Sequence, residues 1–225
     1  MTFITLVSTI HEEIGVTTAS ALHNILEQLR PKAIFLEIPE AAFAAFRGGT
    51  KTNLEFSAAT LYLASNDIAL VPVDLPTPDE ALFREDEYLH RRAWQTSPAY
   101  RDLLDLHSTA TSTIGLPYLN SDQCSDAWAA IYEAKLTALL RLPDHAQLLA
   151  HYTLWKDTNE RRDRAMLEKT EAYCLDNCLD RGVLLVGAAH RTSLLSITRE
   201  RTVLDTTRVE WSALHLPYER VITTA

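Results

Sequence analysis

Four apolar runs of this chain each lead into an ionisable side chain. Ser8-Thr9-Ile10-His11-Glu12-Glu13 follows the first run. Glu37 stands at the end of the second, before Ile38-Pro39-Glu40. Asp74 closes the third, and Gly187-Ala188-Ala189-His190-Arg191 follows the fourth. Two of the four ends carry histidine, in a chain that has only 8. Two imidazoles and a carboxylate brought side by side are a donor set for a divalent metal. Neutral imidazole suits Zn, Mn, Co, Ni or Fe, and the carboxylate offsets charge. A metal held this way lowers the pKa of a bound water toward about 7 and makes it a nucleophile at neutral pH. The small residues Gly187, Ala188 and Ala189 let the backbone come close to a bound group. Each residue alone is equally well a charged group where a loop meets water. The recurrence at equivalent positions is what points to a site.

For these residues to meet, the runs must be strands whose carboxyl ends share one edge of a sheet, where ligands gather in open α/β folds. Residues 3–7, 33–38, 68–73 and 183–186 are near-continuous apolar stretches rich in Ile and Val, as strands covered on both faces are. Leu22, Ile25, Leu26 and Leu29 form an i, i+3, i+4, i+7 stripe between the first two. Thr17 or Thr18 can cap that helix, and Pro31 ends it. Strand, helix, strand in this order is the parallel βαβ unit. A second helix is predicted over 53–65. From 79 to 181 strand-like runs vanish and helical spacing takes over. Trp128, Ile131, Tyr132 and Leu136 make one stripe, Leu148, Leu149, Tyr152 and Trp155 another. A helix over about 159–181 carries Leu167, Cys174 and Cys178 on one side, with Gly182 as its stop. A helix over 192–201 follows the fourth strand. Residues 202–205 are compatible with a further strand, and the tail from Trp211 has no single assignment. The expected fold class is α/β: a mostly parallel sheet flanked by helices, in one domain over 1–225, with 79–181 as a central α-helical insertion.

The chain has 225 residues, and 21 basic against 30 acidic side chains give a net charge of −9. That balance argues against a nucleic-acid partner, which needs a basic footprint. No apolar run approaches the roughly 18 residues of a membrane span. The start Met1-Thr2-Phe3-Ile4-Thr5 lacks the basic and apolar regions of a signal peptide. Cys124, Cys174 and Cys178 are odd in number and form no disulfide framework. A cytoplasmic protein acting on a peptide or small-molecule substrate is the expectation.

Taken in order, the motifs resemble those of the TraB/PrgY/Tiki superfamily, with which GumN, ChaN and erythromycin-esterase-like proteins are grouped. Ser8-Thr9-Ile10-His11 corresponds to an N-terminal G-x-x-H, with Ser8 in place of the glycine. Glu37 in Phe35-Leu36-Glu37-Ile38-Pro39 corresponds to a glutamate ending the second strand. Arg162-Asp163-Arg164-Ala165-Met166 fits R-[DN]-x-x-M, and Gly187-Ala188-Ala189-His190 fits the late G-x-x-H. The resemblance covers residues 1–75 and 158–200. It implies a metal-dependent hydrolase, peptidase or esterase-like, with Mn or Co foremost and Zn or Fe also suited. His11, Glu37 and His190 would be its metal positions. Arg162 would hold a carboxylate or stabilise an oxyanion, and Asp74 would support the catalytic set. Asp163 would orient Arg162 or His190, or favour the positive end of a helix dipole. Glu12 and Glu13 are base candidates or a solvated pair. The alternative is a non-catalytic module holding haem iron or a small ligand in the same cleft.

Other motifs carry less. His11-Glu12-Glu13-Ile14-Gly15 lacks the second histidine of H-E-x-x-H, and no P-loop, G-x-G-x-x-G or G-x-S-x-G is present. Gly48-Gly49 is a turn, and Cys174 and Cys178 are core residues. His90, His107, His145 and His151 have no ligand spacing. The Trp and Tyr stripes of the insertion are core, or an apolar wall for substrate above the strand ends.

Overall fold

Five parallel strands organise the chain in a computed structural model that describes residues 2–76, 80–204 and 209–217. They are β1 (Thr2–Thr9), β2 (Ala33–Pro39), β3 (Ala69–Asp74), β4 (Arg181–Gly187) and β5 (Val209–Ala213), in the order β3-β2-β4-β1-β5. The fold is α/β, with an all-parallel sheet flanked by helices. Side chains alternate across each strand. Ile4, Leu6, Phe35, Leu184 and Val186 enter one core with Met166 and Leu167. Val7, Ile34, Leu36, Val183 and Leu185 enter the other with Leu22 and Leu26. Both faces are covered, so the strands read as unbroken apolar runs, and each fully buried aliphatic side chain contributes about 1.5–3 kcal/mol.

Helix α1 (Ala19–Leu29) is capped by Thr18, whose hydroxyl accepts from the Ala21 amide at 3.1 Å. Thr17 instead donates to the Thr111 carbonyl oxygen. Helix α2 (Glu40–Arg47) has no sequence expectation. It is short and has no fully buried residue, so no stripe marks it. The expected turn at Gly48-Gly49 follows it, with Gly49 at φ 73°. Helix α3 (Leu54–Leu63) is capped by Asn53.

Between β3 and β4 lie α4 (Glu80–Thr96), α5 (Pro98–Thr113), α6 (Leu116–Leu119), α7 (Asp122–Leu140) and α8 (His145–Asp176). The insertion boundary expected at Asp79 lies outside the described residues. Leu89, Tyr100, Ile131, Leu139 and Leu148 give these helices a core of their own. The two helices expected around 148–155 and 159–181 are one, α8, about 48 Å long at 1.5 Å per residue. Its first half packs in the insertion core through Leu148, and its second half packs on the sheet through Met166, Leu167 and Cys174. Among the described residues no helix is long and apolar enough to cross a membrane.

Three expectations near β4 and β5 need correction. Helix α8 ends at Asp176, and Cys178 is exposed at φ 49° beyond it, off the buried face that holds Cys174. Gly182 is a β4 residue, not a helix stop. Helix α9 (Arg191–Val203) includes Thr202 and Val203, which were expected to begin a strand, while Asp205 lies outside the described residues. The fifth strand is β5, within the tail, beside β1. At Gly182 the reason for glycine is contact. A Cβ there would stand 2.8 Å from both Ile4 Cδ1 and Phe35 Cε2. Gly182→Ala is expected to cost about 1–3 kcal/mol through overpacking. Urea unfolding measures this, and a change below about 0.5 kcal/mol would mean that the core yields freely.

Candidate active site

The strand order sets the site residues in a row along the carboxyl edge of the sheet: Asp74 on β3, Glu37 on β2, His190 after β4 and His11 after β1. Glu37 shares the strand face of Phe35 by the two-residue period, and that face is covered by α8. Arg162 and Asp163 lie one turn before Met166 and Leu167, so the helix that packs on the sheet carries them to the same edge.

Arg162 is the hub. Its Nη2 donates to Glu37 Oε1 at 2.7 Å and to Asp74 Oδ2 at 2.8 Å, its Nε to Asp74 Oδ1 at 3.1 Å, and its Nη1 to Asn159 Oδ1 at 3.0 Å. The side chains of Glu37 and Asp74 are 5% and 6% exposed, so this is a buried pairing. Four of the five guanidinium hydrogens are used, and one Nη1 hydrogen is left.

His190 is held between two carboxylates. Its Nδ1 lies 2.6 Å from Asp163 Oδ1, and its Nε2 lies 3.2 Å from Glu37 Oε1. Burial works against its charge, but Glu37 and Asp163 outweigh burial and raise its pKa to about 10. It is therefore an imidazolium at neutral pH. For Glu37, burial is again the opposing influence, and His190, His11 and Arg162 together hold it far below the usual carboxylate range. Its Oε2 also accepts from the Gly187 amide at 2.8 Å.

On the other side, Thr9 shares the β1 face of Val7, the face packed against α3. Its hydroxyl donates to Glu55 Oε1 at 2.6 Å and lies 3.0 Å from the Val186 carbonyl oxygen. Glu55 Oε1 also lies 3.0 Å from His11 Nδ1. Glu55 is 3% exposed, whereas the His11 side chain is 54% exposed. The hydrogen bond to Glu55 raises the His11 pKa above 6.5, with burial opposing it. The two halves of the site meet over Gly187. A Cβ on that glycine would lie 3.5 Å from Glu37 Oε2 and 3.5 Å from His11 Nε2, so the missing side chain keeps this space open.

The end of β1 is clamped from behind. Asn120 accepts from the Ser8 amide at 2.8 Å and donates to the Ser8 carbonyl oxygen at 2.9 Å, as a neighbouring strand would. Arg191, fully buried, donates to the Asn120 carbonyl oxygen at 3.1 Å and to Ser8 Oγ at 3.4 Å. The serine in place of the resemblance's glycine thus has a use for its hydroxyl.

Compared with protein-family models, curated proteins and solved structures, the chain matches none. What the site can do must come from its own geometry.

His11, Glu37, Asp74, Arg162 and His190 all stand along one edge; Glu37, Asp74, Arg162 and His190 are partners in one charged network, and His11 stands beside it, bonded to Glu55. Among the described residues no three His, Cys, Asp or Glu side chains are grouped so as to hold a metal ion. His190 has both ring nitrogens engaged, by Asp163 and Glu37, so a cation shared with His11 and Glu37 would have to displace the His190 proton from its place beside Glu37. Asp163 bonds His190 and not Arg162. Glu13 caps α1, accepting from the Ala19 amide at 2.7 Å, and Glu12 is exposed. Glu55 and Asn120 had no sequence expectation. Glu55 could have been noticed as the one charged residue of α3. Beside the network opens a cavity of about 380 Å³, with His190 and Asp163 in its lining.

Proposed function

We propose that the chain is a hydrolase of acyl bonds, ester or amide, with His11 as its general base. The observation that carries this is the His11–Glu55 pair. A buried carboxylate fixes Nδ1, and Nε2 has no partner among the described residues and faces the gap over Gly187. That is the arrangement of a base oriented by a third group. Nε2 takes a proton from a water as the water attacks the substrate carbonyl, Glu55 stabilises the imidazolium that forms, and the imidazolium returns the proton to the leaving alcohol or amine as the acyl C–O or C–N bond breaks. Arg162, locked by Glu37 and Asp74, offers its remaining Nη1 hydrogen and its charge to the oxyanion. Glu37 also holds His190, which with Asp163 lines the cavity. A hydrolase is also what the TraB/Tiki resemblance implies.

The test is hydrolysis of a panel of chromogenic esters and anilides, followed against pH. Only neutral His11 can accept a proton. Its pKa is raised above 6.5, so the rate is expected to climb with pH through a limb lying above 6.5. Glu55→Gln replaces the charged acceptor that raises the pKa with a neutral one and should move the limb downward while lowering the rate. Activity is expected to survive exhaustive dialysis against a chelator. Recovery only on addition of Mn²⁺ or Co²⁺ would make His11 Nε2 a ligand instead of a base. An acid limb that Glu55→Gln leaves in place would refute the dyad, and no hydrolysis across the panel, with or without those ions, would refute the hydrolase.

A further inference from the structure

The cavity beside His190 is walled by the insertion. Tyr132 comes from α7, Tyr152 and Trp155 come from the first half of α8, and His190 and Asp163 line it on the side of the sheet. Its volume of about 380 Å³ is that of a small-molecule site and not of a groove for a folded partner. Its chemistry is uneven in a way that selects a ligand.

The walls are rings. The Trp155 centroid lies 5.5 Å from that of Tyr132 and 5.9 Å from that of Tyr152, and Tyr132 lies 5.5 Å from Trp128 behind it. These rings pack against one another, which restricts their rotation before anything binds. Offset or edge contacts to a flat ligand come at little cost in side-chain freedom. The hydroxyls of Tyr132 and Tyr152 have no hydrogen-bond partner among the described residues. Burial raises both phenol pKa values, so each remains a donor. A half-buried phenol with nothing to bond gains when an acceptor arrives. One cation of the lining stands outside the ion pairs. His190 is balanced by Asp163 and Glu37, and Glu160 is paired with Arg164 at 2.9 Å. Lys156, exposed on α8, has no partner among the described residues.

We propose that this cavity holds the ring-bearing part of the substrate, an aromatic acyl or aryl group with carbonyl or carboxylate oxygens that the two phenols and Lys156 receive. The word substrate rests on the hydrolase function proposed above, but the binding does not. Calorimetric titration with 2-naphthoate and, as a straight-chain control, octanoate tests it. Naphthoate is expected to bind the wild type about tenfold or more tighter than octanoate. Trp155→Leu should weaken naphthoate about tenfold, and Tyr132→Phe, which keeps the ring and removes one donor, about 3–10-fold. Equal affinity for octanoate, no naphthoate binding at millimolar concentration, or unchanged affinity in Tyr132→Phe would each overturn the proposal. Tyr132→Phe keeps the test decisive if Trp155→Leu fails to fold. His11 does not line the cavity, so His11→Gln should bind naphthoate like the wild type. Naphthoate binding without acyl hydrolysis would remove the catalytic function and leave the cavity's ligand class standing. Hydrolysis without ring preference would do the reverse.

Discussion

Arg162→Met is expected to lower the stability of the fold by about 3–5 kcal/mol, the penalty for removing one partner from a buried charge cluster. The arginine side chain is 16% exposed and bridges two carboxylates that are 5% and 6% exposed. Its loss leaves Glu37 and Asp74 facing each other without a bridging cation, and His190 balances only Glu37 and Asp163. A midpoint drop on the order of 10 °C follows for a chain of this length, readable by calorimetry. Arg162→Lys should recover only part of the loss, because a point charge cannot reproduce two bonds to Asp74 and one to Glu37. Adding Glu37→Gln and Asp74→Asn to Arg162→Met should restore stability by removing the stranded charges. A loss below about 1 kcal/mol in Arg162→Met would show that water reaches the cluster and that the sheet and α8 are held mainly by their apolar contacts.

The helix that delivers Arg162 explains what could and could not be read beforehand. Residues 148, 152, 155, 159, 163, 166, 170 and 174 follow one another at three- and four-residue steps along α8. Asn159 and Asp163 fall within that stripe, with Asp163 buried. Asn159 and Asp163, adjacent in the stripe and followed by polar Thr170 further on, interrupt its apolar periodicity, which is why one helix reads as two. The break falls where α8 meets the charged network, as expected where local preference yields to buried polar contacts. The strand ends were legible for the opposite reason. Strands buried on both faces stop being apolar only where they leave the core, so His11, Glu37, Asp74 and His190 stand out at the change. Glu55 did not, because an acid in the first turn of a helix ordinarily serves the dipole. Nor does a sequence disclose whether a histidine will be a neutral ligand or an imidazolium. For His190 that depends on Glu37 and Asp163, which the sheet order and the packing of α8 bring to its two nitrogens.

His11→Gln should behave in the opposite way from Arg162→Met. A glutamine can keep a bond to Glu55 but has no base at neutral pH, and acyl hydrolysis is expected to fall about 10²–10⁴-fold, the usual contribution of a positioned base. Stability should stay within about 0.5 kcal/mol of the wild type, because the side chain is 54% exposed and fills no core space. The contrast between the two variants matters more than either alone. Loss of rate in Arg162→Met could come from a loosened fold, whereas loss of rate in His11→Gln at unchanged stability can only come from the chemistry at Nε2. Glu55→Gln belongs between them, since Glu55 is buried and bonds both Thr9 and His11. It should lower the rate less than His11→Gln and cost some stability as well. If His11→Gln leaves hydrolysis intact, the base lies elsewhere, and the Glu55 bond serves only to fasten the turn after β1 to α3.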